Sequence, residues 1–442
     1  METFFVFLLG IFSGIIAGIF PGINMFVVLS LLYPALIYLD VSNILVLYIT
    51  LCACAQYFGS VSGTFFSIPG SYSSLPSVIE GHALFKKGLG DKAIMHAAIG
   101  SFFASIFAII STLVLLEFLF VFYNLFDTRV KVIVFALAIL SFVVTAGNKM
   151  WISFLFLFSG LLLGHVGFND RTMESFLTFG NPYLYSGLPL VSVVFSIFVI
   201  PNIIVNMSSG NNRVSYTPIN FSGYLKNAKE LFSYKWTVLK SSIIGYITGF
   251  IPGISYILGV SISYALVKRK KQKQKTYEKG DLQSLVASEC ANNSGSLSVI
   301  LPLLLVGIPI TASQSLIYNI AVQKGIVLSI DFFQSLFSQV ILAYIATSII
   351  CVFISGKYVN WIGIIQKVNF NYIYLFIIVV LLTVTFIVGI RSQQHWFYLV
   401  TLLCLLPVGY IFRNFDTMPL IYGFLLSDII YDTVTTGIAI YG

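Results

Sequence analysis

Two Pro-Gly pairs, Pro21-Gly22 and Pro252-Gly253, interrupt long apolar runs, and each has a polar side chain just beyond it, Asn24 and Ser255. A second polar break follows each pair. In the first part of the chain it is Ser62-Gly63-Thr64 and then Pro69-Gly70-Ser71; in the second it is Glu289, Asn292-Asn293-Ser294-Gly295, and then Pro309 and Thr311. Proline lacks an amide hydrogen and clashes with the preceding turn, so interrupted helices are predicted at these positions. Where such a helix restarts it bares N–H groups with partial positive charge, which suit a carboxylate. Asn24, Ser255, Asn292 and Asn293 are candidate oxygen ligands for a sodium ion. Glu289, Asn293 and Asp428 are candidates for coupling to an ion or a proton.

Other chemistry-bearing residues point to less. Asp428 and Asp432 are four apart and share a helical face, which suits an interface as well as a coupling site. Glu80 and His82 stand beside Lys86 and Lys87 in a polar stretch, where a solvated role is expected. His96, His165 and His395 show no metal-ligand spacing, and the five cysteines form no disulfide or zinc framework. There is no nucleophile motif, and no GxxxxGK[ST] phosphate loop to support ATP drive. The sequence thus predicts no enzyme and no cofactor beyond a coupling ion.

The elements that must position these residues follow from composition. Of 442 residues 58% are hydrophobic and only 9% charged, against roughly 25% charged in a soluble domain; mean hydropathy is +0.95. A soluble fold could not hide so much apolar surface. A bilayer removes the need, and at ~20 residues per span the chain accommodates about 10–12 transmembrane helices. Continuous apolar runs, as at 132–147 and 374–390, exclude the alternating pattern of a membrane barrel. The expected fold is therefore an all-α polytopic membrane protein with broken or re-entrant helices. The net charge of +8 is no nucleic-acid signal, because seven basic residues cluster at Lys268–Lys279 between apolar runs. Such a cluster reads as a cytoplasmic loop. With Glu2 and no basic residue before its first apolar run, the N-terminus is not expected to be a cleaved signal peptide.

The chain also repeats itself. Gly14, Gly18, Pro21, Gly22, Ser30 and Tyr33 meet Gly245, Gly249, Pro252, Gly253, Ser261 and Tyr264 at one constant offset. This divides the chain into a first transmembrane repeat over 1–207, a polar connector over 208–234 and a second repeat over 235–442. A weaker correspondence pairs 58–64 with 289–295. Matching Gly/Pro breaks in duplicated halves are the sequence pointer to a secondary transporter's central site. Whether the halves are inverted or parallel stays open, because hydropathy does not say if 236–267 is one span or a hairpin.

These patches resemble the TctA family, the large membrane subunit of tripartite tricarboxylate transporters. The resemblance lies in Gly18-Ile-Phe-Pro21-Gly22, Phe58-Gly59-Ser60, Pro69-Gly70 and Glu80-Gly81 in the first half. In the second it lies in Pro252-Gly253, the lysine stretch, Glu289-Cys-Ala-Asn292-Asn293-Ser294 and Val306-Gly307-Ile308-Pro309. The chain departs from the family pattern at Glu80, Ile310 and Asp428, and it is shorter than typical bacterial members, which also fits a stand-alone relative. The resemblance implies a multi-pass protein of the cytoplasmic membrane that carries a di- or tricarboxylate on a sodium or proton gradient by alternating access. It also implies two partners, a small membrane subunit and an extracytoplasmic binding protein; a homo-oligomer stays open. The alternative is a membrane glycosyl polymerase or lipid-linked sugar flippase, suggested by 41 Phe and 25 Tyr.

Overall fold

The computed structural model of the chain describes residues 2–19, 23–66, 72–74, 76–124, 133, 136, 140, 143, 148–169, 174–208, 229–251, 255–365, 370–425 and 427. Uninterrupted apolar sequence makes the first helix, α1 (Glu2–Ile19). Its outer face carries the exposed Phe4, Phe5 and Phe12, and its inner face carries Gly10, Gly14 and Gly18, one turn apart. These glycines let α1 lie directly on α3 (Val41–Phe66). A Cβ at Gly14 would stand 2.5 Å from Cys54 Cβ and 2.8 Å from the Leu51 carbonyl; one at Gly18 would meet Phe58 and Ala55. Close backbone approach of this kind is how helices bind one another in lipid, where tails are as apolar as side chains.

The glycine contacts advance together along both helices, so α1 and α3 run in the same direction. The helix between them, α2 (Met25–Leu36), must then be the return limb. Residues 37–40 join it to α3 and reach at most about 14 Å, too short to retrace the ~27 Å of α1.

The second half builds the same arrangement from α10 (Lys235–Gly249), α11 (Ser255–Lys273) and α12 (Leu282–Ser298). Gly245 lies against Ala291 and Ser294, and Gly249 against Gly295 and Ser298, so α10 and α12 are parallel. Gly259 of α11 folds back onto Gly245 and Thr248, which makes α10 and α11 a hairpin. Segment 236–267 is thus a hairpin rather than one span. The basic cluster is not simply a loop, since α11 stays helical through Lys273.

Between these triplets the chain makes a π-helical turn (Ser77–Gly81), α4 (His82–Lys86) and the 35-residue α5 (Gly90–Asn124). It then makes α6 (Met150–Gly164), α7 (Pro182–Tyr185), α8 (Leu190–Val194), a π-turn (Phe195–Val199) and α9 (Ile200–Ser208). After α12 come α13 (Leu301–Val306), α14 (Ala312–Gln323), the 36-residue α15 (Ile330–Ile365), α16 (Phe370–Arg391), α17 (His395–Ile411) and α18 (Met418–Leu425). The only strands among the described residues are Gly167–Asn169 and Glu174–Phe176, which pair antiparallel. The architecture is all-α, as expected. Among the described residues four helices are long and apolar enough to cross a bilayer, Glu2–Ile19, Val41–Phe65, Gly90–Leu115 and Phe332–Ser355, and there are shorter apolar helices as well.

The two triplets point in opposite directions. The end of α3 meets the π-turn, where Gly63 packs on Ser77 and the Thr64 carbonyl lies 3.0 Å from His82 Nδ1. That same turn meets the start of α12, through Ser77 to Glu289 and through Glu80 to the amides of Gly280 and Asp281. Farther back on α3, Tyr57 joins Ser105, Tyr344 and Ser296, late in α12. Helices α3 and α12 are therefore antiparallel, and so are the pairs they anchor.

Candidate functional site

From Ser284 to Ser298 every residue of α12 is buried, including one glutamate, two asparagines and five serines. Burying that many polar groups is costly, so they need partners. The helix divides by face. Ala291, Ser294, Gly295 and Ser298 take the packing face toward α10. Glu289, Asn292, Asn293 and Ser296 share an arc of ~100° on the other side, turned toward α5, the π-turn and α15.

Partners on that side are specific. Ser77 donates to Glu289 Oε1. The Asn293 amide nitrogen donates to Ser101 Oγ at 2.6 Å and to the Glu289 carbonyl at 3.1 Å, which fixes its oxygen on the remaining side. Tyr344 of α15 donates to the Asn293 carbonyl at 2.9 Å and lies 3.1 Å from Ser296 Oγ. Its hydroxyl also lies 3.3 Å from Ser105, which is 3.4 Å from Tyr57. Three oxygens are left without a partner among the described residues: Glu289 Oε2, Asn292 Oδ1 and Asn293 Oδ1. The Thr64 hydroxyl, close against Gly81, is also unpaired. No basic side chain forms an ion pair with Glu289 among the described residues.

The other sequence candidates are placed differently. The side chain of Asn24 caps α2, accepting from the Val27 amide at 3.0 Å, so it has a structural task rather than an open ligand position. Ser62 bonds back to the Gly59 carbonyl, and Gly63 admits Ser77. Thr311 caps α14 through the Gln314 amide, and the Pro309 carbonyl accepts from Tyr422 at 2.9 Å. Gly307 before it holds φ +72° and closes α13, with a Cβ position 2.8 Å from the Leu328 carbonyl. Ser294 and Gly295 serve the packing face, apart from Asn292 and Asn293. Pro21, Gly22, Pro69, Gly70, Ser71, Pro252, Gly253, Asp428 and Asp432 lie outside the described residues, as does the Ser255 side chain at the start of α11.

Glu80 corrects its expected solvated role. Its side chain is fully buried and accepts four hydrogen bonds: Tyr264 and Tyr277 hydroxyls at 2.7 Å each, and the Gly280 and Asp281 amides at 2.7 and 2.9 Å. Burial and this carboxylate push the Tyr277 phenol up to about 12. Lys268 donates to Tyr264 at 3.1 Å and sits over both tyrosine rings. Lys87 bonds the Lys279 carbonyl at 2.9 Å, so the basic stretches near 86 and 279 lie together at one end of the molecule.

Ser77, Ser101, Ser105 and Tyr344 were not among the sequence candidates. The available signal was a serine pair four apart in an apolar helix, and a tyrosine in the middle of another.

The sequence model of the "Tripartite tricarboxylate transporter TctA family" matches residues 4–422. An uncharacterized 52.8 kDa protein in the TAR-I ttuC' 3' region of Agrobacterium vitis is 25% identical over 426 residues, covering 95% of this chain and 84% of that protein. An uncharacterized protein of Methanocaldococcus jannaschii is 23% identical over 414 residues, 91% of each chain. No solved structure matches the chain.

Proposed function

The chain belongs to the tripartite tricarboxylate transporter TctA family, and from that membership we propose secondary active transport of a di- or tricarboxylate, driven by a sodium or proton gradient. The family is a transporter family, and its members are components of systems with a small subunit and a binding protein. For this chain both partners belong to the proposal, as does residence in the cytoplasmic membrane with the basic end inside. A transporter family matching nearly the whole chain supports this reading over the alternative of a glycosyl polymerase or sugar flippase.

The observation that carries the reading is the buried polar face of α12, with its three unpaired oxygens, in a fold of two oppositely directed glycine-packed helix pairs. Opposed repeats with irregular chain at their turns are the general design of alternating-access carriers. This supports the division into repeats at 1–207 and 235–442. In this reading the anion rests on N–H groups where α2, α11 and α14 restart, and the coupling ion sits on α12. One bundle then moves against the other.

The test is uptake of labelled di- and tricarboxylates into proteoliposomes under an imposed sodium or proton gradient. The co-encoded small subunit and binding protein are added where present. Accumulation above equilibrium, with Asn293→Ala slowing the initial rate at least about tenfold, is expected. Equilibration with no response to either gradient would mean a passive pore and end the proposal.

A further inference from the structure

We propose that Glu289, Asn292 and Asn293 bind one sodium ion, and that the described residues of the first half hold no counterpart of this site. The site gives the transport reading above its coupling step and rests on that reading only for its purpose. The three side chains are at most 2% exposed, and each ends in an acceptor oxygen with no donor. Leaving one such group unpaired is costly, more so for a charged one, so three on one arc of helix call for an occupant. A proton on Glu289 Oε2 supplies one donor, which serves that oxygen and one asparagine oxygen and leaves the other asparagine oxygen unpaired. A cation satisfies all three at once. The all-oxygen set selects a hard ion, and the single carboxylate, with no basic partner among the described residues, balances one positive charge.

Orientation agrees. Glu289 is steadied through Oε1 by Ser77, and Asn293 through its nitrogen by Ser101. In each case the unpaired oxygen is the atom that the steadying bond leaves over. The glycine contacts then identify the matching positions in α3. Leu51, Cys54, Ala55 and Phe58 meet Gly14 and Gly18 as Ala291, Ser294, Gly295 and Ser298 meet Gly245 and Gly249. In that register Ile49, Cys52 and Ala53 stand where Glu289, Asn292 and Asn293 stand, and all three lie in the apolar core. They offer a hard cation nothing. The fold is doubled and the ion site is single.

The experiment measures equilibrium ²²Na⁺ binding to the full-length purified chain in lipid nanodiscs, with choline holding ionic strength constant. Expected are saturable binding of one ion per chain and competition by lithium more than by potassium. Glu289→Gln and Asn292→Ala should each weaken binding at least about tenfold, while Cys52→Ala leaves it unchanged. Melting in sodium-free buffer verifies that each variant is folded, and Asn292→Ala decides the matter if Glu289→Gln does not fold. Absence of saturable binding, binding indifferent to both α12 variants, or a second ion lost with Cys52→Ala overturns the proposal. Sodium bound as described without any carboxylate uptake would sink the transport reading and leave the site. Uptake driven by a proton gradient alone, with no sodium bound, would do the reverse.

Discussion

Helices α3 and α12 are the same part used twice. Each lies parallel to a glycine-bearing partner, and each gives that partner residues at i, i+3, i+4 and i+7. Three positions of their opposite faces differ in kind: α3 presents Ile49, Cys52 and Ala53, where α12 presents Glu289, Asn292 and Asn293. The helix-to-helix contact is under geometric constraint in both halves, because any Cβ at the glycines meets backbone. The opposite face is free of that constraint, so chemistry can be confined to one copy without disturbing the scaffold.

Scaffold substitutions should therefore hurt both halves alike and polar substitutions only one. The largest effect is expected for Gly245→Val and Gly14→Val. A Cβ at Gly245 would sit 2.1 Å from the Ala291 carbonyl, and one at Gly14 2.8 Å from that of Leu51. Each should cost about 3 kcal/mol or more, read as loss of monodisperse protein or a large fall in melting temperature. A variant tolerated in one half only would break the equivalence. Next, Glu289→Gln should cut gradient-driven uptake at least about tenfold, while Cys52→Ser leaves it within about twofold. Equal losses would show that both faces carry chemistry.

A second matched pair sharpens the contrast. Tyr33 and Tyr264 are equivalent in sequence and each bonds a residue of the other half's system, but Tyr33 reaches the neutral Gln323 at 3.4 Å and Tyr264 the carboxylate of Glu80 at 2.7 Å. Hydrogen bonds to charged groups contribute about 1.5–3 kcal/mol and neutral ones about 0.5–1.5. Tyr264→Phe should therefore lower thermal stability more than Tyr33→Phe, in side-by-side melts. The smallest effect belongs to Glu278→Ala. Its pair with Lys87 spans 3.7 Å between side chains 87% and 47% exposed, and its loss should shift stability by no more than about 0.5 kcal/mol.

The duplication was legible because Gly14, Gly18, Gly245 and Gly249 keep their offset relative to the Pro-Gly pairs. The correspondence of 58–64 with 289–295 was not the structural one. Contacts pair Leu51 with Ala291 and Phe58 with Ser298, since α11 has 19 residues where α2 has 12 and the connection after it is longer as well. Loop length leaves no trace in the periodicity of either helix. The polar run at 289–295 was visible as chemistry, but its division into a packing face and an acceptor face depends on what lies around α12. Glu80 misled for a related reason. Lysines next to it in sequence suggest solvent, while the amides and hydroxyls that bury it come from residues about two hundred positions away.

The pairing of α1 with α3 rather than with its neighbour has a consequence for synthesis. Ribosomes deliver residues in order, at roughly 5–20 per second, so the first helix leaves the insertion machinery seconds before its docking surface exists. During that interval its glycine stripe has no helix to pack on, while Phe4, Phe5 and Phe12 lie on the face that stays exposed in the finished fold. The nascent chain thus passes through a stage in which its first helix is made and the helix it docks on is not.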